Sequence, residues 1–138
     1  MQSSCTKKIK IFKGWWTLND IKNNRDHLFI FGDNDIGRGK GGQAIIRDEP
    51  NAFGIPTKKY PSNAKNSFYT DEEYKTNKIK IRDALHSILK EFMSNDKYTT
   101  LTLPEDGLGT GLAQLPTKAP KTYKFLENRL KALKILFN

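Results

Sequence analysis

Two glycine-rich segments constrain the fold of this chain more than any other feature of its sequence. The first, residues 33–42, follows a continuous apolar run at residues 28–31, and the second, residues 104–111, follows a β-branched, alternating stretch at residues 98–103. A continuous apolar run is typical of a strand buried on both faces of an α/β sheet. Helical patterns follow both glycine segments, the first at residues 43–47. The repeated order of strand, glycine loop and helix predicts an α/β fold with a largely parallel sheet.

The remaining segments fit the same fold class. Alternation of polar and apolar residues predicts a strand at residues 8–12, and a short apolar run predicts another at residues 52–55. The capping-box pattern at Thr70 predicts the start of a long helix. No repeat or linker divides the chain, so we expect a single domain over residues 1–138, with a frayed end at residues 1–7. Its central sheet is expected to be mixed but mostly parallel, with helices on both faces.

Net charge and its distribution leave nucleic-acid binding as an alternative that we do not favour. The chain carries 24 basic and 15 acidic residues, a net charge of +9. The excess lies at the two ends, since residues 1–25 and residues 117–138 each hold six basic residues and one acidic residue. Nineteen of the cations are lysines, which usually form a solvated helix face. A basic nucleic-acid-binding module built on these ends therefore stays an alternative.

Metal sites, disulfides and membrane segments are not expected. Cys5 is the single cysteine, so it cannot form an intramolecular disulfide, and two histidines with one cysteine make a poor zinc site. No apolar run approaches the roughly 18 residues that a membrane helix needs. The first residues also lack the apolar stretch of a secretory signal. We expect a protein of the cytoplasm (of the host cell if the source is viral), without a metal and without membrane partners.

The two glycine segments are expected to hold a diphosphate between them. Glycine lets the backbone approach a ligand closely, and the backbone N–H groups of such loops form a cradle for anions. In an open α/β sheet, ligands sit at the carboxyl ends of the strands, where both segments begin. Neither segment matches the Rossmann or P-loop fingerprint. The predicted cradle is residues 41–43 with residues 109–112, and Arg38 and Lys40 are candidates to clamp the phosphates.

Both segments also resemble the signature motifs of the macro domain superfamily, the ADP-ribose-binding modules. FIFGDN at residues 29–34, followed by GRGKGGQAII at residues 37–46, is similar to that family's strand, asparagine and glycine loop. TLPEDGLGTGLA at residues 102–113 is similar to its second glycine loop and is the more specific match. A narrower likeness, which includes EPNAFGIPT at residues 49–57, is to a small uncharacterised family found among phage proteins.

The resemblance implies a single macro-like domain that binds ADP-ribose or a related nucleotide, free or attached to a macromolecule, without a cofactor. Asn34 is expected to hold ribose hydroxyls, and Glu105 or Asp106 to activate water or a hydroxyl. Asn34, Glu105 and Asp106 are thus the candidate catalytic residues of an ADP-ribosyl hydrolase. The alternative within this resemblance is a binder that only sequesters a nucleotide signal.

One motif departs from the macro-domain pattern. That family has Gly-Asp-Ile/Val-Thr, whose Asp holds the adenine amino group, where this chain has Gly-Trp-Trp-Thr at residues 14–17. A tryptophan there can stack on a base, and Asp20 is close enough to replace the missing carboxylate. The predicted ligand-binding residues are Trp15, Trp16, Asp20, Asp33, Asn34, Gly39, Lys40, Gly41, Gly42, Gln43, Thr57, Gly107, Leu108, Gly109, Thr110, Gly111 and Leu112, with Lys58 and Lys59 as further candidates.

Overall fold

A computed structural model describes residues 7–137 of the chain as four strands and four helices. The strands are β1 (Lys8–Phe12), β2 (His27–Asn34), β3 (Ala52–Lys58) and β4 (Thr100–Pro104). The helices are α1 (Leu18–Lys22), α2 (Tyr74–Ser94), α3 (Leu115–Lys118) and α4 (Pro120–Phe137). The α/β class predicted from the sequence is therefore confirmed.

The strands form one sheet in the order β1-β4-β2-β3, and every pairing between them is parallel. The expectation of a mixed sheet is wrong in this respect. A crossover packed against the sheet returns the chain in the same direction after each of the first three strands, which favours parallel pairing. One isolated antiparallel bridge, between Lys58 and Phe68, lies outside the pairing of the named strands.

The two strands that precede the glycine segments lie side by side at the centre of the sheet. His27 of β2 pairs with Thr100 of β4, and Phe29 pairs with Thr102. The apolar run at residues 28–31 is buried along its whole length, as its pattern predicted. Because β2 and β4 are parallel neighbours, the loops that follow them leave the same edge of the sheet.

Helices cover both faces of the sheet, as expected, but unequally. One face carries Leu28 and Leu101 and packs against the long helices α2 and α4. The other face carries Phe29 and Phe31 and packs against α1 and a short 3₁₀ turn at Gly42–Ile46. That 3₁₀ turn stands where the sequence predicted a short helix. It holds the first glycine loop close to the end of β2.

The ends of several elements depart from the expected boundaries. The capping box of Thr70 and Glu73 is present, but a 3₁₀ turn at Asp71–Glu73 precedes α2. Lys7, which falls in the predicted frayed end, is 9% exposed, and its ammonium donates to the carbonyl oxygen of Asn95 at 3.0 Å. The rest of that predicted end, residues 1–6, lies outside the described residues. Along residues 7–137, no helix combines the length and apolar character needed to cross a membrane.

Candidate functional site

A cleft of about 830 Å³ lies between the two glycine loops. Gly41 of the first loop and Gly109 of the second both line it, so the two loops face one common space, as expected. Most of the predicted binding residues are brought together here. Those that line the cleft are Trp15, Asp33, Asn34, Gly39, Gly41, Gly42, Gln43, Thr57, Asp106, Gly109, Thr110, Gly111 and Leu112, joined by Arg38 and Lys58.

Backbone N–H groups without a protein acceptor line both sides of the cleft. Within the described part of the chain, the N–H groups of Gly39, of residues 41–43 and of residues 109–113 donate no hydrogen bond to a protein atom, and these residues line the cleft. Successive free N–H groups form a concave site for an anion. The glycine pattern predicted a cradle at residues 41–43 and 109–112, and these N–H groups lie in both of those segments.

Asn34 shapes the first loop with its own side chain. Its Oδ1 accepts the backbone N–H groups of Ile36 at 3.2 Å and Arg38 at 3.4 Å, and its Nδ2 donates to the Arg38 carbonyl at 2.7 Å. These are the bonds of a side-chain turn, which asparagine favours. The amide predicted to hold ribose hydroxyls is therefore engaged within its own loop.

Gln43 joins the two glycine loops. Its Oε1 accepts the N–H of Gly32, and its Nε2 donates to the carbonyl of Gly107, both at 2.9 Å. Trp16 donates its indole N–H to the Gln43 carbonyl at 3.0 Å and is 5% exposed. Gln43 thus uses its amide to hold the walls of the cleft, and Trp16 supports it from the core rather than from the cleft. Trp16, expected to contact a ligand, is therefore buried and does not line the cleft.

Trp15 and Leu112 stand at the mouth of the cleft. Trp15 is 72% exposed and Leu112 is 62% exposed, although both are large apolar side chains. A Cβ added at Gly42 would lie 3.7 Å from the Trp15 ring, and one added at Gly41 would lie 3.1 Å from Leu112. The two residues therefore flank the first loop and offer exposed apolar surface beside the free N–H groups.

Gly109 is held by close packing as well as by its backbone conformation. Its φ is +76°, in the left-handed region that favours glycine. A Cβ at this position would lie 3.0 Å from both Leu115 and Thr57. Thr57 is 1% exposed, and its hydroxyl donates to the Asp33 carbonyl at 3.2 Å. Gly109 and Thr57 therefore seat the second loop against the ends of β2 and β3.

Arg47 is a cleft residue that the sequence analysis missed. Its guanidinium contacts the Asp33 carboxylate at 2.7 Å and donates to the carbonyls of Gly39 at 2.8 Å and Arg38 at 3.1 Å. It also lies 5.3 Å from the centre of the Phe31 ring. The short 3₁₀ turn brings Arg47 back over the loop, and no sequence motif signals that return. Asp33 is therefore neutralised by the protein.

The two candidate catalytic carboxylates point to different places. Asp106 lines the cleft, is exposed, and forms no side-chain hydrogen bond or ion pair with residues 7–137. Glu105 accepts the backbone N–H of Gly14 at 3.2 Å and lines a smaller pocket behind the second loop. Asp106 alone of this pair therefore faces the cleft.

Four other predicted residues have structural roles outside the lining of the cleft. Asp20 accepts the Thr17 N–H at 2.7 Å and completes the capping box of α1. Lys40 forms an exposed ion pair with Asp48. Leu108 is fully buried in the core. Gly107, with a φ of +85°, offers its carbonyl to the Gln43 amide named above.

Residues 11–129 match the family of unknown function DUF7831. The chain belongs to this family. The part matched by DUF7831 contains both glycine loops and every residue that lines the cleft. Comparisons with curated proteins and with solved structures found no match. Across residues 7–137, the structure groups no three His, Cys, Asp or Glu side chains in a way that could hold a metal ion.

Proposed function

We propose that the cleft binds ADP-ribose or a related nucleotide diphosphate. The observation that carries the proposal is the pair of unbonded N–H runs on the walls of one cleft, one formed by Gly39 with residues 41–43 and the other by residues 109–113. Each free N–H loses hydration when a ligand fills the cleft, and a diphosphate between the runs would replace the lost bonds. The volume of the cleft is in the range typical of small-molecule sites.

The charge of the lining favours an anion. Arg47 and Asp33 neutralise each other. Arg38 and Lys58 remain without an ion-pair partner among residues 7–137, against the single free carboxylate of Asp106. The unpaired charges of the cleft are thus two cations and one anion, a positive excess that favours an anionic occupant.

Trp15 is the residue we assign to the base of the nucleotide. Its ring is 72% exposed at the cleft mouth, beside Gly42. Stacking of a base on an exposed aromatic ring contributes about 1–3 kcal/mol and tolerates any base. This contact would replace the adenine-binding carboxylate of macro domains, because Asp20 is engaged in capping α1.

Hydrolysis of an ADP-ribosyl linkage is the second candidate activity. The observation that favours it is the Asp106 carboxylate, which lines the cleft and is free to accept a proton from water or a hydroxyl. Asn34 and Glu105 are not part of this proposal, since both side chains already have backbone partners. Binding is the primary proposal, and turnover is the second candidate activity of the same cleft.

Isothermal calorimetry with ADP-ribose, ADP and adenosine tests the binding proposal. We expect heat from the two diphosphates and much weaker binding of adenosine, because adenosine lacks the group that the N–H runs would hold. Gly111→Val is the blocking variant, since a Cβ at Gly111 meets no atom within 4 Å and its φ is not positive. It should fold normally and bind ADP-ribose more weakly than Gly111→Ala. Equal binding of adenosine and ADP-ribose, or no binding of either diphosphate, would overturn the proposal.

A further inference from the structure

We propose that the ammonium group of Lys58 forms an ion pair with a phosphate of the molecule that occupies the cleft. This inference rests on the proposed nucleotide-binding function and deepens it, because it names the residue that supplies the charge. Lys58 is the last residue of β3, at the carboxyl edge of the sheet, and lines the cleft.

Lys58 is buried without a counter-ion. It is 7% exposed, and no carboxylate among residues 7–137 lies within ion-pair distance of its ammonium group. Its partner is instead the ring of Phe68, whose centre lies 4.9 Å from Nζ. Lys118 places a second ammonium 5.1 Å from the same ring. An aromatic face compensates only part of the hydration that a buried cation loses.

The neighbouring lysines do have carboxylate partners. Lys59 contacts Glu73 at 2.6 Å, and Lys80 contacts Asp35 at 2.7 Å. Unlike these two lysines, Lys58 has no carboxylate partner among residues 7–137, and it lines the cleft.

Every acidic group at this edge is already neutralised or lies across the cleft. Asp33 is bound to Arg47, Asp35 to Lys80 and the Tyr69 hydroxyl, Glu73 to Lys59, and Asp106 stands on the opposite loop. Lys118, on the same Phe68 ring, and Arg38, in the lining of the cleft, have the same sign of charge as Lys58. A counter-ion for the Lys58 ammonium group must therefore come from outside the described chain.

Burial has a measurable consequence for the free protein. It lowers the pKa of Lys58 below its usual value, since the charged form is disfavoured away from water. A lysine with a lowered pKa in the folded state destabilises the fold at every pH below its unfolded-state pKa. If Lys58 served the fold, its removal would destabilise the protein. If it serves an anionic ligand, its removal stabilises the free protein and weakens binding.

The test compares Lys58→Met with the matched control Lys59→Met. Both variants remove one ammonium group from adjacent residues, but Lys59, although a candidate from the sequence, does not line the cleft, and its ammonium is paired with Glu73. Thermal unfolding at pH 7 without ligand, and calorimetric titration with inorganic pyrophosphate and with ADP-ribose, are measured for each. We expect Lys58→Met to unfold at a higher temperature than wild type and to bind both ligands about tenfold or more weakly. Lys59→Met should unfold at a lower temperature and bind both unchanged.

Other outcomes separate this inference from the proposed function. A Lys58→Met variant that is less stable than wild type, or fails to fold, would assign Lys58 to the fold and overturn the inference. Unchanged ADP-ribose affinity in Lys58→Met would overturn it while leaving the nucleotide site intact. Pyrophosphate binding that depends on Lys58, without any binding of ADP-ribose, would support the ion pair and overturn the nucleotide assignment.

Discussion

Arg47 Nη2 lies 2.7 Å from Asp33 Oδ1, and the two side chains are only 14% and 17% exposed. This ion pair connects the end of β2 to the residue that follows the 3₁₀ turn. The same guanidinium holds two carbonyls of the first glycine loop, those of Arg38 and Gly39. The carboxylate predicted to bind a ligand is therefore the anchor that fixes one wall of the cleft.

Replacing Arg47 should destabilise the fold. Arg47→Met leaves the Asp33 carboxylate largely buried without its cation, and loss of one partner of a buried pair costs about 3 kcal/mol. The free energy of unfolding in urea measures this loss. Arg82→Met is the matched control, because Arg82 is 60% exposed on its side chain and lies 3.8 Å from Asp83. Such an exposed pair contributes about 0–1 kcal/mol. Equal stability of the two variants would contradict the anchoring role of Arg47.

Gly109 and Gly111 of the second loop should respond differently to alanine. Gly109→Ala places a Cβ 3.0 Å from Leu115 and Thr57 at a φ of +76°. The backbone strain alone costs about 1–2 kcal/mol, and the close contacts add to it. Gly111→Ala meets no atom within 4 Å and should change the free energy of unfolding by no more than about 0.5 kcal/mol. Urea unfolding of both variants checks the contrast, and a neutral Gly109→Ala would show that the loop can shift.

The sequence predicted the two central strands and the glycine loops of the site, because these elements depend on local sequence patterns. A continuous apolar run at residues 28–31 requires a strand covered on both faces, and β2 is such a strand. The alternating stretch at residues 98–103 contains most of its central neighbour, β4. When two such strands are parallel neighbours, the glycine loops at their carboxyl ends leave the same edge of the sheet.

Side-chain roles within the site were less predictable, because they depend on contacts between distant segments. Gln43 and Asn34 each have an amide suited to a ligand, but loop carbonyls and N–H groups engage both. Arg47 carries no motif and enters the cleft through the 3₁₀ turn. Trp15 and Trp16 are adjacent in sequence. Trp16 is the buried one because it packs against Phe12 and Phe29, contacts that the local sequence does not reveal.

Acid should destabilise the protein through His27. Burial lowers the pKa of this imidazole, an effect that Asp26 opposes and that Lys10 and Lys8 reinforce. Because the folded-state pKa lies below the unfolded-state value of about 6.5, the protein is more stable above that pH. The stability is lost as the pH falls from there through the folded-state pKa, with a slope of up to about 1.4 kcal/mol per pH unit.

His27→Gln should remove this part of the pH dependence. Unfolding in urea is measured between neutral pH and the onset of carboxylate titration, for wild type and variant. The control is His86→Gln on the exposed side of α2, which should keep the wild-type slope. Identical slopes in wild type and His27→Gln would contradict the role assigned to His27.

Asp106 and Glu105 are neighbours in sequence, and turnover should depend on only one of them. If the cleft hydrolyses ADP-ribosyl linkages, Asp106→Asn removes the one carboxylate of its lining that is unpaired among residues 7–137, and loss of a general base lowers rates by about 100-fold or more. The affinity for ADP-ribose should not fall, because Asp106 is not part of the N–H runs and its replacement removes a negative charge from the lining. Glu105→Gln is the matched control, since Glu105 contacts Gly14 and faces the smaller pocket. Mass spectrometry of ADP-ribose released from an ADP-ribosylated protein measures both variants. Full turnover in Asp106→Asn, or an equal loss in Glu105→Gln, would exclude Asp106 as the base.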